Sequence, residues 1–168
     1  MQVPSTSPRD TAAEVDRLID EALPDQRGFA AWRALLLAHA SLMRELSTDL
    51  ALRARLPLGD FDALAQLAMA GGELRMTDLA TRTFSSRSAM TRRVDRLIEE
   101  GLVQRTRSDA DGRGVVIGLT ETGLGRLLQA VPIHLEGVSK LFIERLDDEE
   151  LEVLDRALGK VSLDCSFG

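Results

Sequence analysis

Between Arg75 and Arg113 the sequence places nine arginines against six acidic residues, a local excess of three positive charges. The 168-residue chain as a whole carries a net charge of -6, so the residues outside that window hold a net of -9. Every basic residue in the window is Arg, and the only two lysines, Lys140 and Lys160, lie elsewhere. A guanidinium is a planar fork that matches phosphate oxygens and the edge of guanine, so a cluster of this kind suits a polyanionic partner. The acidic whole argues the other way, because phosphate binding needs positive potential where the phosphates lie. The distribution of charge outweighs its sum.

Other chemistry is hard to find. The sequence has no Gly-rich phosphate loop and no Gly-x-Ser-x-Gly elbow, which argues against a hydrolase or transferase. Its two histidines, His39 and His134, sit near apolar stripes and read as core histidines, and no metal-ligand spacing is present. The expectation is no enzyme, no cofactor and no metal. Cys165, the single cysteine, has Asp164 and Ser166 as neighbours, so nothing in the sequence lowers its thiol pKa and no internal disulfide can form. The longest apolar run, Ala34 to Ala38, is far short of the roughly 20 residues of a membrane helix. With no basic-then-apolar leader pattern either, a cytoplasmic location is expected.

The elements that must position the arginines follow from apolar spacing. Residues 1–10 (MQVPSTSPRD) read as a mobile tail. A helix is predicted from Thr11 with Val15, Leu18, Ile19 and Ala22 on one face, stopped by Pro24. A longer one runs from about Phe29 to about Arg55, with Trp32, Leu35, Leu36, His39, Leu42, Met43, Leu46 and Leu50 recurring every three or four residues. Asp60 is placed as the cap of the next helix, which ends at Gly71 and Gly72.

Two short helices then follow closely. Thr77 is a candidate cap for the first, through about Arg82, and Ser85 or Ser86 caps the second, through Glu100. In the second helix Met90, Val94, Leu97 and Ile98 share one face, and Ser88, Arg92, Asp95 and Glu99 the other. Hydroxyls and Arg occupy its first half and acids its second. A helix that reads base edges contacts DNA mostly near its N-terminus, where the dipole also favours phosphate. Arg93 and Arg96 point sideways, toward phosphate, packing or an ion pair. After Gly101 a hairpin is predicted, Leu102 to Arg107 and Gly114 to Leu119, with Asp111-Gly112 in its turn. Thr120 caps a long helix through about Arg145 that is interrupted at Pro132, and Asp147 with Glu150 forms a capping box for the last helix. Helix, turn, Arg-bearing helix and Arg-tipped hairpin, in that order, make a winged helix-turn-helix. The fold class expected is mainly α with a small β-hairpin wing (α+β).

The stretch LRMTDLATRTFSSRSAMTRRVDRLIEEGLVQRTRSDADGRGVVIGLTETG is similar to the pattern of the MarR family of transcriptional regulators. It has the Leu-Ala helix, the Ser-capped recognition helix, Asp-Arg-Leu, Gly-Leu-Val, the Asp-x-Arg wing and Leu-Thr-x-x-Gly, and the resemblance extends from about Phe29 to Val161. It departs from the family in the turn Thr83-Phe84-Ser85, where Gly is common. The resemblance implies N-terminal helices over 11–55, a winged DNA-binding domain over 56–120 and C-terminal helices over 121–168, the outer helices intertwining two chains into a homodimer. The apolar stripes of those outer helices agree, since one small domain leaves them without a partner.

By position, Asp111 and Arg113 match the wing motif, in which the Arg enters the minor groove and the Asp orients a neighbouring Arg, here Arg105 or Arg107; a plain turn residue is the alternative for Asp111. Ser86, Arg87, Ser88, Thr91 and Arg92 are the residues expected to meet bases. The resemblance also implies a small aromatic or anionic effector that releases DNA, with Trp32, Arg33, His39, Asp62 and Arg96 as candidate lining residues. For Trp32 core packing is the favoured reading over effector contact, and Asp62, beside an apolar face, needs a partner such as Arg96. The function expected is a ligand-responsive repressor that binds an inverted-repeat operator in double-stranded DNA. The alternative is a winged-helix protein-interaction module without specific DNA binding.

Overall fold

The computed structural model describes residues 8–23, 26–107 and 115–164. The chain divides into two compact units, Met1–Met43 and Arg44–Gly168. Helix α1 (Pro8–Ala22) lies in the first, and α2 (Gln26–Asp49) begins there. Arg17 on α1 pairs with Glu14 one turn before it and Glu21 one turn after. The apolar residues of this unit are largely uncovered: Val15, Leu18, Leu35, Leu36 and Leu37 are exposed, and Trp32 keeps 54% of its surface. The sequence reading favoured a core position for Trp32; within the single chain it is not a core residue.

The second unit holds the core. A π-helical turn, Leu50–Ala54, continues from α2, followed by α3 (Leu58–Met69), β1 (Glu73–Arg75), α4 (Met76–Arg82) and α5 (Arg87–Glu99). Strands β2 (Val103–Arg107) and β3 (Val115–Leu119) precede α6 (Glu121–Leu141), a 3-10 turn (Ile143–Arg145) and α7 (Asp148–Asp164). The sheet is antiparallel in the order β1-β3-β2, with Leu74 and Arg105 both opposite Ile117. The predicted hairpin is therefore widened by a third strand. Leu64 and Leu67 of α3, Leu79 of α4, Met90, Val94 and Leu97 of α5 and Ile117 of β3 are all fully buried. Each such side chain contributes about 1.5–3 kcal/mol, so the inward face of α5 is fixed more firmly than any surface contact could change.

Three helices stop in the same way. In α3, α4 and α5 the second residue past the cap returns its N–H to a carbonyl five residues earlier: Gly72 to Leu67 at 2.8 Å, Ser85 to Ala80 at 2.9 Å and Leu102 to Leu97 at 2.8 Å. This Schellman closure requires a left-handed residue at the position before, filled by Gly71, Phe84 and Gly101 with φ of 84°, 50° and 70°.

Some boundaries differ from the sequence reading. The N-cap of α4 is Arg75 rather than Thr77, because β1 runs straight into the helix. Helix α6 passes through Pro132 without interruption. Pro132 and Leu128, the residue whose carbonyl loses its donor, are both exposed, the side on which a helix tolerates that loss. Thr120 does cap α6: its hydroxyl accepts from the Gly123 N–H at 3.0 Å and donates to the Gly101 carbonyl at 2.7 Å. The capping box also forms, with Glu150 N–H on Asp147 at 2.8 Å and Asp147 N–H on Glu150 at 3.0 Å.

Candidate nucleic-acid interface

Helix α5 starts at Ser86, whose hydroxyl accepts the N–H of Ala89 at 3.2 Å. Because Met90, Val94 and Leu97 face the core, Arg87, Ser88 and Arg92 are turned to solvent in the first half of the helix. Thr91 is half-buried and donates its hydroxyl proton to the Arg87 carbonyl at 2.9 Å. Arg82, at the end of α4, is exposed as well. No acidic residue lies in the first turn of α5, so no carboxylate there offsets its N-terminal dipole or the exposed Arg87.

The sideways arginines are held in ion pairs. Asp60, only 1% exposed in the first turn of α3, receives Arg96 and, at 3.3 Å, Arg93 on the same carboxylate oxygen. The other oxygen, Oδ2, is buried without a hydrogen bond among the described residues. Arg93 also donates to Ser85 Oγ at 3.2 Å, which ties the turn before α5 to α3. The expectations for Asp60 and Asp62 are corrected here. Pro57 is the N-cap of α3, and Asp60, not Asp62, is the partner of Arg96. Two residues apart on a helix, the two carboxylates point about 200° apart, and Asp60 is the one that meets Arg96. The hydrogen bond to Asp60 also holds the Arg96 guanidinium above its ordinary pKa.

Asp62 faces a different group. Burial raises its carboxyl above the ordinary range, against the pull of Arg93, a hydrogen bond with Gln66 and His134. The His134 ring packs on Phe61 with centroids 4.5 Å apart, and its Nδ1 is buried without a hydrogen-bond partner among the described residues. Of the two core histidines expected, only His134 is packed, with its Nδ1 left without a partner among the described residues, whereas His39 is exposed. Burial depresses the pKa of His134, with Asp62 opposing. Trp32, Arg33 and His39 are exposed residues of the first unit, while Asp62 and Arg96 belong to the second.

On the wing, Arg105 of β2 pairs with Asp95 of α5, which fastens strand to helix and leaves Arg105 about half exposed. Arg107 ends β2. Asp111 and Arg113 lie outside the described residues, as does Cys165. Among the described residues no group of His, Cys, Asp and Glu could hold a metal, and no helix is long and apolar enough to cross a membrane. Asp60 was missed as a functional residue. The signal for it was present in Arg93 and Arg96, three residues apart on the flank of α5 and in need of a common acid.

Three helices, α3 to α5, the last of them Arg-bearing, exposed and set after a tight turn, together with a three-stranded sheet, define a winged helix-turn-helix protein. The sequence profile of the MarR family matches residues 56–114. The crystal structure of AbsC, a MarR family transcriptional regulator from Streptomyces coelicolor, is 34% identical over 80% of this chain and 91% of that one, with a TM-score of 0.75. Sco3205, a MarR family transcriptional regulator from the same organism solved in complex with DNA, is 28% identical over 83% and 88%, with a TM-score of 0.77. The transcriptional repressor YetL of Bacillus subtilis (strain 168) is 34% identical over 51% of this chain and 51% of its own length, so this chain aligns with only half of that relative. The chain belongs to the MarR family of transcriptional regulators.

Proposed function

We propose that the protein is a repressor that binds an inverted-repeat operator as a homodimer, with α5 of each subunit in a major groove and half-sites about 10 bp apart. The observation that carries this reading is the orientation of α5: its core-facing side is fully buried, which leaves Arg87, Ser88 and Arg92 outward at its positive end. Ser86 and Thr91 complete the base-reading set, and Arg105, Arg107 and Arg113, with Asp111, serve the wing. The DNA complex of Sco3205 and the repressor designation of YetL support the same reading. Exposed apolar residues on the outer helices, Leu35 and Leu36 of α2, Leu128 and Leu135 of α6 and Val153 and Leu158 of α7, suit a second copy of the chain. Release of DNA by a small aromatic or anionic effector is part of the proposal and requires the effector to prefer the non-binding state.

The test is fluorescence anisotropy of the purified protein on duplex from upstream of its own gene and on a scrambled duplex, at two salt concentrations. Binding that favours the native duplex and falls by about three to five decades between 50 and 200 mM salt is expected for 6–10 phosphate contacts. A folded protein that binds neither duplex at low salt would turn the assignment toward a protein-interaction module.

A further inference from the structure

The three matching helix ends isolate one residue that the fold does not explain. At the left-handed position the closures of α3 and α5 use Gly71 and Gly101, where glycine bears no steric penalty, whereas that of α4 uses Phe84 at φ 50°. Burial of the ring could offset that strain, yet Phe84 is 99% exposed. The Phe84 N–H bonds to the Thr81 carbonyl at 3.1 Å, a bond that a glycine there would make equally well, but the side chain gains nothing from folding. A strained residue that the fold does not reward points to a role outside it.

The place of Phe84 says what that role is. It stands two residues before Ser86, the N-cap of α5, in the turn flanked by the exposed Arg82 and Arg87. That turn is rigid: Ser85 N–H reaches Ala80 at 2.9 Å, the Thr83 hydroxyl reaches the Leu79 carbonyl at 2.8 Å, and Arg93 holds Ser85 Oγ. An exposed aromatic ring on a hydrogen-bonded turn, between exposed cations, faces whatever polyanion those cations attract, and only its side-chain rotamers are left to order on contact. A phenyl ring cannot pair with phosphate, but it can cover the apolar parts of duplex DNA, the deoxyribose and the thymine 5-methyl group.

Resting on the DNA-binding reading above, we infer that Phe84 is an affinity-determining contact of this protein, its ring packing on the apolar surface of DNA at the edge of the groove that α5 enters. The full chain would first select its own site from a randomised duplex library, and affinities for that site would then be compared for the wild type, Phe84→Gly and Phe84→Leu. Phe84→Gly should melt about 2–4 °C higher, since it restores the preferred residue to the cap, yet bind the selected duplex at least tenfold more weakly. Phe84→Leu should retain most of the affinity. Replacing the site's thymines with deoxyuridine separates the two surfaces: a loss confined to the wild type assigns the methyl group, and no loss assigns the deoxyribose. Phe84→Gly binding within twofold of the wild type would overturn the inference while leaving the DNA-binding reading intact. A change in its oligomeric state without DNA would likewise overturn it, by giving the ring to a protein contact. If the wild type selects no site, the DNA-binding reading falls and this inference with it.

Discussion

Asp60 and Arg96 join the first turn of α3 to the flank of α5 through a carboxylate that is almost completely buried. With Arg93 on the same oxygen, the acid anchors the helix that carries the proposed base-reading residues and, through Ser85, the turn ahead of it. Asp60→Asn keeps the shape and removes the charge. Arg96 is half exposed and can turn to water, so the loss should fall below the 3–5 kcal/mol of a fully buried pair, at about 1–3 kcal/mol. Urea unfolding should show a lower midpoint with an unchanged slope. A midpoint equal to that of the wild type would mean that the pair does not hold α5.

Two glycines should respond to alanine in different ways. A Cβ on Gly101 meets nothing within 4 Å, so Gly101→Ala should cost only the left-handed strain, about 1–2 kcal/mol. A Cβ on Gly123 would lie 2.0 Å from the Leu102 carbonyl oxygen, which cannot move without loosening the Thr120 cap. Gly123→Ala should therefore cost more, about 2–4 kcal/mol. Equal losses in thermal or urea melts would contradict the close packing of α6 on the end of α5.

The pH dependence of stability should carry the mark of His134. Burial holds its pKa below the ordinary 6.5, so as the pH falls through that value the unfolded chain takes up a proton that the folded chain refuses. Stability should fall over that interval and level off below the folded pKa, and His134→Gln should flatten the slope. Asp62 acts with the opposite sign at lower pH: its raised carboxyl binds a proton more readily when folded, so acid relieves it. Glu136, held down to about 2 by Lys140 and Arg53, contributes stability that is present above its ordinary 4.5 and is lost as the pH falls toward 2. An unchanged slope in His134→Gln near neutrality would place the titration elsewhere.

The helix-turn-helix was legible because strong periodic signals and caps coincide there: Met90, Val94 and Leu97 one turn apart, Ser86 in front and Gly101 behind. The Leu-Thr-x-x-Gly run was visible as a pattern, but its cause, a carbonyl where a Cβ would stand, needs coordinates. Strand β1 was not visible, since three residues are too few for an alternation to show and its partner lies more than forty residues away on β3. Asp60 was misread for a related reason. An acid in the first turn of a helix looks like a cap, and only the approach of Arg93 and Arg96 from another helix makes it an anchor. At Phe84 the departure from Gly was plain in the sequence, but the left-handed backbone and full exposure that give it meaning were not.

The most direct measurement is the ratio of affinities for the native upstream duplex and a scrambled one, in the wild type and in Arg92→Ala at one fixed salt concentration. If the exposed face of α5 reads bases, the wild type should favour the native duplex, and Arg92→Ala should cut that ratio by about 5- to 100-fold while changing scrambled binding much less. A ratio that Arg92→Ala leaves unchanged, with both affinities falling together, would contradict base reading by this helix.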